Sequence, residues 1–174
     1  MTLKGIVIDA DVARAAGDRP IADRASAACR LFLAEQRLQG VGVVMTSAVW
    51  AEWNVHASSF ARQWLAAMAS RGLVLRPRAR VVKCMPTISR LVSQGVLALI
   101  EKDLLLIEAA NASDQLVCSR DRRARRAFGQ VACSAKEIGN VVWVDPCNVG
   151  DEPLAWLQEH APWSRARALC VTGD

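Results

Sequence analysis

A three-layer Rossmann-like α/β sandwich with a central parallel sheet is the fold class this sequence predicts, on three observations. Short apolar, β-branched runs alternate with longer segments of helical period, the pattern of parallel strands joined by crossover helices. The 174 residues and 18.9 kDa amount to one domain, and a chain of that length buries roughly 70% of the surface it exposes when unfolded. At 52% hydrophobic and 22% charged, with a mean hydropathy of +0.16, the chain is too apolar for disorder. It is also slightly apolar for a monomer, so a homodimer is expected.

The elements follow in order. The run Ile6-Val7-Ile8, closed by Asp9, predicts a strand over 5–8, and the others are predicted over 42–45, 115–118 and 141–144. The stretch 74–82 is ambiguous. Helices are expected over 21–39, 47–54, 56–70, 86–95, 103–112 and 122–128. Trp53, Ala57, Phe60, Trp64 and Met68 recur at helical spacing and so belong to a core stripe rather than to base-stacking platforms. The one candidate boundary is 146–150: residues 1–146 form the main domain and 147–174 a helical extension packed on it. Asp151, followed by Glu152 and Pro153, reads as the N-cap of a last helix over 153–160.

The apolar runs are far shorter than the ~20 residues of a membrane span, and the N-terminal run ends at Asp9 without a secretory h-region. A cytoplasmic protein is expected. Cys29, Cys84, Cys118, Cys133, Cys147 and Cys170 contain no C-x-x-C pair, and only His56 and His160 are available to help bind zinc. In a reducing compartment each cysteine is expected to be a free, small hydrophobe.

Charge is unevenly spread. Residues 53–100 carry Arg62, Arg71, Arg76, Arg78, Arg80, Lys83 and Arg90 and no acid, a local +7 in a chain of net +5. A second cluster, Arg120, Arg122, Arg123, Arg125 and Arg126, brackets Asp121. Such stretches suit a polyanion, whose phosphates give sequence-independent affinity, although a merely solvated face has the same composition.

In parallel α/β sheets ligands gather beyond the carboxyl ends of the strands, so acids placed there are candidates. Asp9 ends the first strand, with Asp11 two residues on. Glu52 lies in the helix after the second strand, Asp103 opens the helix 104–112, and Asp121 follows the third main strand through Ser119 and Arg120. Singly, each is also a helix cap, turn residue or exposed helix acid. Jointly, four acids at one sheet edge would repel one another unless a cation neutralised them. An all-oxygen set suits Mg²⁺ or Mn²⁺. Asp114 is read as a turn residue.

The motifs Ile6-Val7-Ile8-Asp9-Ala10-Asp11-Val12, Thr46-Ser47-x-x-x-x-Glu52, Asp103-Leu-Leu-Leu-Ile-Glu-Ala-Ala and Leu116-Val117-Cys118-Ser119-Arg120-Asp121 resemble the PIN domain nucleases, particularly the VapC-type toxins. The resemblance covers roughly residues 4–146, and the 18-residue spacing from Asp103 to Asp121 is part of it. It implies that Asp9, Glu52, Asp103 and Asp121 hold Mg²⁺ or Mn²⁺ and are the catalytic set. Ser47, Ser119 and Asp11 would support them, and the products would carry 5′-phosphate and 3′-hydroxyl ends. The implied function is metal-dependent endoribonuclease, with RNA as substrate and, for a toxin, an antitoxin protein as partner. Arg76, Arg78, Arg80, Arg122, Arg123, Arg125 and Arg126 would contact the RNA backbone. Asp11 and Leu104 depart from the family's usual residues, but the four acids are intact. Two other functions compete: a PIN fold that binds RNA or protein without cutting, and a haloacid dehalogenase-like phosphatase with Asp9 as nucleophile.

Overall fold

Runs of three or four β-branched or small residues become strands wherever both faces are covered by helices. The computed structural model describes residues 3–17 and 23–171. In chain order the elements are β1 (Gly5–Ile8), α1 (Ala10–Ala15), α2 (Arg24–Leu38), β2 (Gly42–Val44), α3 (Ser47–His56), α4 (Ser59–Ser70) and β3 (Val74–Leu75). They continue with α5 (Met85–Leu91), α6 (Gln94–Asn111), β4 (Leu116–Cys118), α7 (Arg122–Ala132), α8 (Lys136–Gly139), β5 (Val142–Val144) and α9 (Pro153–Gln158). Short 3₁₀ turns occupy Val149–Asp151 and Arg165–Arg167.

The five strands form one sheet in the order β3-β2-β1-β4-β5, and every pairing is parallel. The fold class expected from the sequence is the one observed. The chain builds outward from β1 to β3 on one side, then returns to place β4 on the other. β1 and β4 therefore flank the topological switch point, where ligands of such sheets bind. Ile6, Val7 and Ile8 of β1, Val43 and Val44 of β2, Leu116 and Val117 of β4 and Val142 and Val144 of β5 are fully buried. Among the described residues no helix is long and apolar enough to cross a membrane.

Several local expectations are corrected. Asp103 does not open a helix: α6 starts at Gln94, capped by the Ser93 hydroxyl accepting from Val96 N–H, and carries Asp103 mid-helix. The helix expected over 86–95 accordingly stops at Leu91. The stripe from Trp53 to Met68 spans two helices broken at Ala57 and Ser58. Ser58 makes the break, because its hydroxyl caps α4 at Ala61 N–H and donates to Ala13 O at 2.7 Å. Trp53, Trp64 and Met68 are nonetheless buried, the two indoles 6.0 Å apart. Of the stretch 74–82 only two residues are strand. Its end is pinned from elsewhere, with Arg80 N–H donating to the Glu108 backbone carbonyl and Val82 N–H to the Glu108 carboxylate, and the Lys83 and Cys84 N–H groups just beyond donate to Glu137. The residues over 21–39 are helical from Arg24, with positions 21 and 22 outside the described residues.

Asp151 does not cap the last helix. Its carboxylate accepts from Asp145 N–H at 2.8 Å and from Arg125 at 2.7 Å, while Glu152, with φ 42°, precedes Pro153. The extension packs on the domain through Trp156 and Leu157, both buried, and an antiparallel bridge joins Ala168 to Val142.

The expectation of six free thiols is also corrected. Cys133, at the end of α7, and Cys170, in the extension, form a disulfide across a sequence separation of 37 residues. No spacing motif signals it, because the tertiary return of the extension brings the two together. Nearby, Gly139 allows the approach of α8 to α7, since a Cβ there would collide with Ala132 O. Closing a loop of 37 residues is worth about 3 to 4 kcal/mol by chain-entropy reasoning. Cys170→Ser should therefore lower the melting temperature in oxidising buffer by about 10 °C, and reductant should lower the wild type to the same value. Equal melting of the oxidised wild type and the variant would show that the bridge contributes nothing.

Candidate metal-binding cleft

The cleft lies beyond the carboxyl ends of β1 and β4. Asp9 follows β1 directly, its N–H continuing the ladder to Cys118 O at 2.9 Å. It caps α1, with Oδ1 accepting from Asp11 N–H at 3.3 Å. Across the switch point, Ser119 of the β4–α7 connection donates its hydroxyl to Asp9 Oδ2 at 2.7 Å and accepts from Asp121 N–H at 3.1 Å. One buried hydroxyl thus fixes both acids. Asp121 caps α7, its Oδ1 accepting from the Arg123 and Ala124 N–H groups at 2.9 Å each, which leaves Oδ2 for the cleft. Asp11 Oδ1 accepts from Arg120 N–H at 3.4 Å.

Glu52 comes from α3 and Asp103 from α6. All four acids named from the sequence, with Asp11, line one cavity of about 330 Å³. Arg14, His56 and Lys102 complete its charged lining. A smaller pocket of about 80 Å³ adjoins it, lined by Asp9, Glu52, Lys102 and Asp103 against Val49 and Leu106.

Burial in this acidic setting raises the carboxyls. Asp9 is pushed up by burial and by Asp121, against the Ser119 and Asp11 hydrogen bonds and Lys102. Asp11 rises from 3.8 to about 7, through burial first and then the neighbouring Asp9. Asp103 rises to about 6, through burial and then, against the opposing Lys102, through Asp9, Asp121 and Glu52. Lys102 Nζ lies 3.9 Å from both Asp103 Oδ1 and Asp121 Oδ2. At 68% exposure it screens rather than neutralises them. Asp103 Oδ2 is buried with no hydrogen-bond partner.

Whether these residues suit a divalent cation turns on two observations. The orphaned oxygen of Asp103 and the crowding of raised carboxyls are what a hard cation would relieve. Among the described residues, however, no group of three or more His, Cys, Asp or Glu side chains is arranged closely enough to hold one ion. Mg²⁺ does not need such a cage, since it keeps several waters and binds through one or two carboxylates. The donor chemistry fits Mg²⁺ or Mn²⁺ and does not fit a dehydrated, protein-caged ion such as structural zinc.

The remaining predicted residues divide. Ser119 sits between Asp9 and Asp121, whereas Ser47 is exposed on the first turn of α3 and does not line the cleft. Asp114 lies at the opposite edge of the sheet, accepting from Gly5 N–H at 2.8 Å. Arg76, Arg78 and Arg80 are exposed. On α7, Arg122 is drawn to Asp145 at 3.3 Å and half-buried Arg125 to Asp151 at 2.7 Å, while Arg123 and Arg126 face solvent. Sequence reasoning missed Lys102, Arg14 and His56. Only His56 carried a local signal, its i,i+4 spacing from Glu52, with which it pairs at 3.6 Å.

No protein-family model, curated protein or solved structure matches the chain. The reading of the cleft therefore rests on its own geometry and on the motifs that shape it.

Proposed function

We propose that the chain is a metal-dependent endoribonuclease of the PIN type, with the toxin of a toxin–antitoxin pair as the role its motifs resemble. The observation that carries this reading is the convergence of Asp9, Asp11, Glu52, Asp103 and Asp121 on one cleft at the switch point of the sheet. Asp9, Glu52, Asp103 and Asp121 would hold Mg²⁺ or Mn²⁺. Bound there, the ion supplies Lewis-acid chemistry, acidifying a water and stabilising the leaving oxygen of a phosphodiester.

The protein's own groups do the positioning. Ser119 holds Asp9 Oδ2 and the Asp121 backbone in register. The first turn of α7 immobilises Asp121. Both Asp9 oxygens accept hydrogen bonds, which suits a fixed ligand better than a nucleophile. Arg14 and Lys102 set positive charge beside the carboxylates, where a substrate phosphate would otherwise be repelled. Exposed Arg76, Arg78, Arg80, Arg123 and Arg126 would contact the RNA backbone, with Arg122 and Arg125 committed first to Asp145 and Asp151. An antitoxin partner, a homodimer and a cytoplasmic location belong to the same proposal. In a reducing compartment Cys133 and Cys170 would be apposed thiols rather than a bridge.

The test is cleavage of a single-stranded RNA. The wild type should cut it in Mg²⁺ or Mn²⁺, stop on chelation and resume when the cation is restored. Binding without cleavage under every metal condition overturns the proposal. That outcome would favour the non-cleaving RNA-binding reading, in line with the lack, among the described residues, of a group of three or more such side chains able to hold one ion.

A further inference from the structure

Among the tryptophans, Trp50 stands apart. Trp53, Trp64, Trp156 and the 45% exposed Trp163 each donate their indole N–H to a backbone carbonyl, and Trp143, its N–H unpartnered, is buried, so among the described residues only Trp50 joins exposure to a free indole N–H. Trp50 is 36% exposed, and its N–H has no partner among the described residues. α3 buries Val49 and Trp53, so Trp50 is not needed to hold the helix on the sheet. It instead opens a groove of about 320 Å³ between α3, α4 and β3.

Two arginines flank that groove. The Arg76 guanidinium lies 5.0 Å from the centre of the Trp50 ring. Arg62 is held in place by donating to Ala57 O at 3.0 Å and Asn54 O at 2.8 Å. No acid lines the groove, whose residues other than Trp50 all fall within the 53–100 stretch. An exposed indole with fixed guanidinium groups and no carboxylate is the chemistry of single-stranded nucleic-acid binding, in which bases stack on aromatic faces and phosphates meet arginine. A protein partner matched to apolar surface alone would not account for the two arginines.

We propose that this groove is a base-stacking subsite for single-stranded RNA, with a nucleobase on Trp50 and the flanking phosphates on Arg76 and Arg62. The inference deepens the nuclease reading and rests on it for the identity of the strand. Trp50 and Glu52 lie two residues apart on α3 and so face different ways. The subsite and the acidic cleft are separated by the width of one helix, ~10–12 Å, and one strand crossing α3 reaches both.

The experiment is fluorescence anisotropy with a labelled single-stranded RNA oligonucleotide in chelator, where no cleavage occurs. Trp50→Ala should weaken binding about 10-fold, Trp50→Phe should restore most of it, and an oligonucleotide of abasic units should bind the wild type weakly with no dependence on Trp50. Arg76→Ala should lower the magnitude of the salt slope by about one. Unchanged affinity in Trp50→Ala overturns the subsite, even if the wild type cuts RNA. A change of oligomeric state on sedimentation of Trp50→Ala overturns it too, marking the groove as a contact between copies. Loss of affinity in Trp50→Ala, when the wild type shows no metal-dependent cleavage, upholds the subsite while the nuclease reading falls.

Discussion

Asp9→Asn is expected to lower metal-dependent RNA cleavage by about 1,000-fold without unfolding the protein, an effect of about 4 kcal/mol on the transition state. The substitution keeps the shape of the side chain. An asparagine oxygen can still cap α1 at Asp11 N–H, while its amide nitrogen, in the place of the oxygen that now accepts the Ser119 hydroxyl at 2.7 Å, would donate to Ser119 Oγ. What is lost is the negative charge at the centre of the switch point, and with it a ligand for a hard cation. The measurement is the single-turnover rate on an RNA oligonucleotide across Mn²⁺ concentrations, with the melting temperature as control. Wild-type rates in Asp9→Asn would remove Asp9 from the catalytic set and the cleft from the mechanism.

The second large effect is on stability and has the opposite sign. Without a divalent cation, Asp103→Asn should stabilise the protein at pH 7.5. Asp103 is 14% exposed, its Oδ2 has no partner, and its carboxyl rises from 3.8 to about 6 in the folded protein. Ionising it there costs about 2 to 3 kcal/mol more than in the unfolded chain. Below pH ~4 the carboxyl is protonated in both states and the penalty vanishes. As pH rises, the unfolded chain gives up its proton first, stability falls through the interval up to about 6, and above it the full cost is present. The variant should therefore melt about 5 °C higher than the wild type at pH 7.5, and the gap should close on acidification and on adding Mn²⁺ to the wild type. A variant that melts at or below the wild type at pH 7.5 would show that Asp103 does not share in the acidic crowding.

The two effects oppose each other for one reason. A site that gathers like charges is destabilised until a cation arrives, so the groups expected to matter most for chemistry cost the empty protein most. Lys102 moderates that cost from the solvent side without removing it.

The sequence alone determined the layered parallel fold, because apolar runs such as Ile6-Val7-Ile8 buried on both faces can be satisfied only between helices. It also marked Asp9, directly after such a run, and Asp121, three residues past another, since polar residues that close to a strand's end emerge at the carboxyl edge of the sheet. Local helix limits were less legible. The period of α6 runs unbroken through Asp103, and only the cap at Ser93 tells where it starts. The break between α3 and α4, expected at Val55, falls at Ala57 and Ser58; the Trp53–Met68 stripe stays in phase across it, so periodicity could not place it. Tertiary structure alone decided the rest: that Ser119 ties Asp9 to Asp121, that Lys102 stands between Asp103 and Asp121, that Asp145 and Asp151 engage two arginines of α7, and that Cys133 meets Cys170. Each of these joins residues distant along the chain or turns on which way a side chain points. Periodicity reports which face of an element is buried; which groups meet across that face is set by the packing of one element against another.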